Sequence, residues 1–180
     1  MLRKGLVVAA GLVLVGLSLL PISANAQEKP FQLSFIGPTL QVVDDDADIR
    51  GLRINLIYGV NRNVKGLDIG LVNRATGSFK GLQGGFVNMT DQAFTGWQAG
   101  FVNVVDGEFL GFQEGFVNVT GTGEGFQLGF YNSTERLGGL QMALVNVADD
   151  LYGLQIGLIN IIKSKPKFSF LPIVNWKYDE

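Results

Sequence analysis

From residue 51 onward, large apolar and small or amide residues alternate along the chain, and the alternation restarts at fixed intervals. "GWQAGFVN" at Gly96 is followed by "GFQEGFVN" at Gly111 and "GFQLGFYN" at Gly125. Aligned on the first glycine, further copies start at Gly66, Gly81, Gly139 and Gly153, with a worn copy, "GLRINLIY", at Gly51. The steps are 15 residues up to Gly111 and 14 after it, once the worn copy is included. Period-2 alternation rich in Val, Phe and Ile predicts strands. Two glycines per copy oppose a helix. Between copies lie "RATGS", "TDQA", "VDGE", "TGTGE", "STER" and "ADD", which are turn residues. A further apolar residue stands two places before most copies, at Val64, Phe79, Phe94, Phe109, Leu137 and Leu151, with Gly123 breaking the rule.

Two all-β architectures accommodate this repeat. The preferred one is a β-solenoid of about eight 14–15-residue coils with capping strands, stacked in parallel at about 4.8 Å, roughly 38 Å in all. Asn73, Asn88, Asn103, Asn118, Asn132, Asn146 and Asn160 then form a ladder at a coil corner, each amide bonding the next. The large apolars Leu67, Leu82, Trp97, Phe112, Phe126, Leu140 and Leu154 stack as another column. The alternative is an antiparallel outer-membrane β-barrel of about ten strands, since strands of 9–11 residues joined by short turns suit a membrane wall. In a barrel, successive Asn residues would fall at opposite ends, which leaves their recurrence without a cause. Pro38 and Pro172 would also interrupt the closing strands.

The chain divides accordingly. Residues 1–26 read as a secretory signal peptide: Arg3 and Lys4, an apolar run from Gly5 to Leu20, and a small-x-small site at Ala24-Asn25-Ala26. Residues 27–50 are an N-terminal capping strand and acidic loop, 51–162 the tandem repeats, and 163–180 a C-terminal capping strand. Removal of the leader takes away two basic residues and leaves 12 against 16 acidic, a net charge of −4. That balance disfavours nucleic acid as a partner.

Composition narrows the chemistry further. With no Cys and no His, thiolate nucleophiles, imidazole bases and the usual zinc ligand sets are missing. The acids fall in turns, where a rod offers no cleft for a carboxylate pair. The expectation is a non-enzymatic protein without a cofactor. Asp44, Asp45, Asp46 and Asp48 are a weak candidate cation site, since "DDDAD" matches no calcium-loop spacing.

Gln83, Gln98, Gln113, Gln127, Gln141 and Gln155 form a second amide column. It reads as a register-holding ladder, or else as a flat polar stripe for a periodic partner such as a polysaccharide. Trp97 and the phenylalanines at 101, 112, 116, 126 and 130 read as core packing, or as sugar platforms if exposed. Glu114 shares their strand parity and requires local exposure.

The stretch "GLRINLIYGVNRNVKGLDIGLVN" at 51–73, the "GLQxGFVN" copies after it and the closing "FLPIVNW" resemble a family of bacterial surface-repeat proteins of leptospires and related Gram-negative bacteria. The likeness covers nearly all of the chain after the leader. Asp68, Glu114 and Ala143 depart from the pattern. The resemblance implies an address at the cell surface, outer membrane or periplasm, and no mechanism. It leaves an envelope or extracellular protein, or a polysaccharide, as candidate partners, and allows membrane association. The functional expectation is an exported structural or adhesive module, with a small outer-membrane pore or anchor as the alternative.

Overall fold

The computed structural model describes residues 28–178, and the expected leader lies outside them. Every regular element among these residues is a strand: β1 (Glu28–Ile36), β2 (Leu40–Gln41), β3 (Asp48–Asn61), β4 (Val64–Ala75), β5 (Phe79–Thr90), β6 (Ala93–Met142), β7 (Val145–Ile162) and β8 (Phe170–Lys177). They form one sheet in the order β2-β1-β3-β4-β5-β6-β7-β8, wound as a β-solenoid of about seven turns. The long β6 winds through several rungs without a break.

The pairing decides against the barrel. β3 to β7 pair in parallel, whereas barrel neighbours would be antiparallel. The register is the repeat itself: Gly66 lies beside Gly81 and Gly81 beside Gly96 at a step of 15, and Gly139 beside Gly153 at a step of 14. Only the two ends change direction. β2 folds back on β1, and β8 runs antiparallel along β7, covering the last rung.

Glycine is required at the coil corners. Gly96 has φ of +137°, and a Cβ there would lie 1.9 Å from the Gly81 carbonyl oxygen on the rung below. No other residue type tolerates both the backbone conformation and that approach.

The interior has two parts. Under the turn edge lies an apolar core whose main column is the residues two places before most copies, with Ala75, Val105, Ala148 and Ile162 beside it. Phe79, Phe94 and Phe109 stack at centroid distances of 5.2 and 6.0 Å, with Ile49, Val64, Leu137 and Leu151 continuing the column. The rest of the interior is polar and mostly amide, with Thr90, Thr120, Thr134, Arg53 and Asp68 also buried. All of the Asn and Gln column residues are buried. The expectation that the aromatic column at 97, 101, 112, 116, 126 and 130 packs the core is therefore corrected. Trp97, Phe101, Phe116, Phe126 and Phe130 are exposed, and Phe112 is half-buried. Glycines press against the amide-lined half: a Cβ at Gly85, Gly100 or Gly115 would lie 2.5–2.6 Å from the Asn amide nitrogen of the preceding rung.

Candidate interaction surface

The two amide ladders run in opposite directions. Each Gln donates from Nε2 to Oε1 of the preceding rung: Gln98 to Gln83, Gln113 to Gln98, Gln127 to Gln113, Gln141 to Gln127 and Gln155 to Gln141, at 2.7–3.0 Å. Each Asn donates from Nδ2 to Oδ1 of the following rung, from Asn73 through Asn146 to Asn160, at 2.8–3.0 Å. The same Nδ2 also donates to a backbone carbonyl of the next coil, as Asn103 does to Glu114 at 2.8 Å. A Cβ at Gly100 would lie 2.6 Å from the Asn88 amide nitrogen and 3.0 Å from Asn103 Oδ1, so the second glycine of most copies makes room for the Asn ladder, with Ala143 in its place in the copy at Gly139. Of the two readings of the Gln column, the register-holding ladder is the observed one. A column buried on every rung presents no polar stripe to a partner.

Three features of the ladders went unread in the sequence. Arg53 of the worn copy occupies the Gln column, one rung from Asp68. The two form a fully buried, two-pronged ion pair, Nε to Oδ1 at 2.8 Å and Nη2 to Oδ2 at 2.6 Å. Asp68 also accepts from Asn55 at 3.0 Å and from Gln83 at 2.9 Å, so the Gln ladder ends on a carboxylate. Second, the worn copy exchanges its Asn and Gly. Asn55 stands opposite Gly70, and Gly59 stands opposite Asn73 across a bulge. Asn55 reaches Asn73 Oδ1 at 2.7 Å and so begins the Asn ladder from the other side. Third, each ladder ends with a buried acceptor that has no partner among the described residues: Asn55 Oδ1 on the first Asn rung and Gln155 Oε1 on the last Gln rung. Opposite donor directions put these orphans at opposite ends of the rod.

With the amides inside, the large apolar residues of each copy face outward in columns. The sharpest is Leu71, Phe86, Phe101, Phe116, Phe130, Leu144 and Leu158, all exposed. Its phenyl rings stack on one another at 4.6–5.0 Å with interplanar angles of 0–8°. Trp97, 46% exposed, and Phe112 belong to a parallel column, 5.8 Å apart and tilted by 43°. Between the columns runs an open trough of about 520 Å³ lined by Ala99, Gly100, Glu114, Gly115, Leu128 and Gly129. It continues over Met142 and Ile156 to Ile173 of the C-terminal cap. Glu114 is exposed there, as its parity required.

Charge collects on the turn edge instead. Arg74 pairs with Asp91, Lys163 with Asp149 and Lys177 with Asp150. The Asp150 carboxyl is held below the usual aspartate range by hydrogen bonds from Lys177 and Ser164. The acidic loop is drawn into the same kind of pairing: Asp48 accepts from Arg62 at 2.9 Å and from Asn63 at 3.0 Å. Burial works against its ionisation, but these bonds outweigh burial and lower its pKa. The Asp44 carbonyl accepts from Asn61. Among the described residues no group of three or more acidic side chains is arranged to hold a metal ion, so Asp44, Asp45, Asp46 and Asp48 do not assemble a cation site.

No family model, no curated protein and no solved structure matches this chain.

Proposed function

We propose that this protein is a non-enzymatic, exported rod of a Gram-negative cell envelope that works by presenting its outward apolar columns to a partner. One observation carries the reading. Over seven successive coils the large apolar residues between the first glycine and the Asn of each copy are outside, and the amides beside them are inside. Apolar patches beyond a few hundred Å² mark interaction surfaces. Amide ladders supply the register and internal satisfaction that free the large side chains for that role. The leader-like residues 1–26 and the resemblance to bacterial surface-repeat proteins support export and an envelope address.

A carbohydrate-binding role would also use exposed aromatics, and Trp97 is exposed. The geometry of the phenyl column argues against it. Sugars stack on ring faces, and the faces of Phe86, Phe101, Phe116 and Phe130 are occupied by one another.

The test uses residues 27–180, which hold the whole described solenoid. An apolar fluorescent dye is expected to bind, and Phe101→Ser with Phe116→Ser is expected to remove most of the signal without changing the circular dichroism spectrum. Unchanged dye binding would reject the interaction-surface reading. Export is checked separately: expression of the full chain in a Gram-negative host should yield a mature N-terminus at Gln27, and an intact Met1 outside the cytoplasm would contradict it.

A further inference from the structure

We propose that the apolar columns dock this protein on a lipid surface whose headgroups carry ammonium groups, with Glu114 receiving an ammonium. The inference rests on the reading of the columns as an interaction surface and names what covers them.

The cross-section of the rod is amphipathic along its length. In the seven regular copies, the outward positions between each first glycine and its Asn bear one charged side chain, Glu114. The other acid in that span, Asp68, is buried against Arg53. Charged partners such as Arg74–Asp91 and Lys163–Asp149 lie along the turn edge. A rod lying flat can therefore sink its column edge into the boundary of a bilayer and keep its turn edge in water, as an interfacial amphipathic helix does.

The backbone permits this. Apart from Leu144, in the bend between β6 and β7, the column residues lie within β4 to β7, which pair in parallel rung on rung. Ring edges, which the phenyl column presents, suit acyl chains.

Charge then chooses the headgroup and disfavours a second copy. Glu114 lies on the fourth of the seven regular copies, at the middle of the band. A centred two-fold pairing of two such faces would set Glu114 against its own mate, two like charges in an apolar seam. A lipid surface has no such conflict. The lone carboxylate in the trough, with no basic side chain lining it, complements an ammonium and repels an anionic headgroup. The net charge of −4 after removal of the leader acts in the same sense.

The test is flotation of residues 27–180 with vesicles of phosphatidylcholine and phosphatidylethanolamine, and separately with vesicles rich in phosphatidylglycerol. The protein should float with the first set and several-fold less with the second. In a Trp176→Phe background, Trp97 emission should shift to shorter wavelength on binding. Phe101→Ser with Phe116→Ser should lower the bound fraction at least tenfold. Glu114→Lys leaves the aromatic columns in place and should reverse the headgroup preference. Failure to float with any vesicle, flotation unaffected by the Phe substitutions, or a wild-type preference for phosphatidylglycerol would overturn the proposal. So would a stable dimer that the same substitutions dissolve, since the occupant would then be a second copy. If flotation fails while dye binding persists and remains sensitive to Phe101→Ser/Phe116→Ser, the lipid proposal falls and the interaction surface stands. If dye binding is equally insensitive, both fall.

Discussion

Asp68 accepts four hydrogen bonds inside the solenoid: two from Arg53, one from Asn55 and one from Gln83. The carboxylate ends one ladder and also touches the start of the other. Asp68→Asn would leave the Arg53 guanidinium buried and uncompensated, a loss of about 3–5 kcal/mol for a broken buried pair. Arg53→Gln with Asp68→Gln would instead extend the Gln ladder through the two rungs. Replacing both charges should restore stability to within about 1 kcal/mol of wild type. Urea unfolding of the single and double variants measures the difference, and a double variant as unstable as the single would refute the ladder-extension argument. Further along, Asn103→Ala or Asn118→Ala removes a mid-ladder rung and orphans a buried amide on each side. Each should cost roughly 1–3 kcal/mol, and neutral behaviour of both would remove the Asn ladder from the account of stability.

At the scale of the coil, the glycine corners and the end cap set the limits. Gly96→Ala forces a Cβ into the Gly81 carbonyl at a φ that only glycine adopts comfortably. The backbone strain alone is worth about 1–3 kcal/mol, and the clash adds to it, so this variant should lose its cooperative thermal transition. The cap depends on charge. Asp150 accepts from Lys177 of β8 at 2.7 Å and from Ser164 of the preceding loop at 2.6 Å, which fastens the last strand to the rod. Because its pKa is lowered on folding, its contribution is complete above the ordinary aspartate value and is lost as pH falls through the lower folded value. Asp150→Asn should therefore melt below wild type at neutral pH, and the gap should close in strong acid. A gap independent of pH would mean that the cap is held by packing alone.

At the scale of the whole molecule, the repeat made the strands, the parallel register and both ladders legible, because one phrase recurring at 14–15 residues places like on like. Which face lies inside was not legible. Alternation defines two faces and is silent about which is buried, and hydrophobicity alone assigns Phe101 and Phe116 to the core. The second glycines lie against the Asn amides, where a Cβ would clash, and the buried phenyl rings, Phe79, Phe94 and Phe109, stand two places before the copies instead. The Arg53–Asp68 pair did carry a signal, opposite charges one repeat apart in the Gln column. The Asn55–Gly59 exchange carried none, since it depends on a bulge that alternation does not encode.

The central claim is that the amides of each copy are inside and the aromatics between its first glycine and its Asn are outside. The most direct measurement is hydrogen exchange of the side-chain amide protons by NMR. The account predicts that Nδ2 protons of Asn88, Asn103 and Asn118 and Nε2 protons of Gln98 and Gln113 exchange orders of magnitude more slowly than free amides, as only local opening of the rod exposes them. Exchange of all of these at the rate of an exposed side chain would contradict it, and would return the phenylalanines to the core.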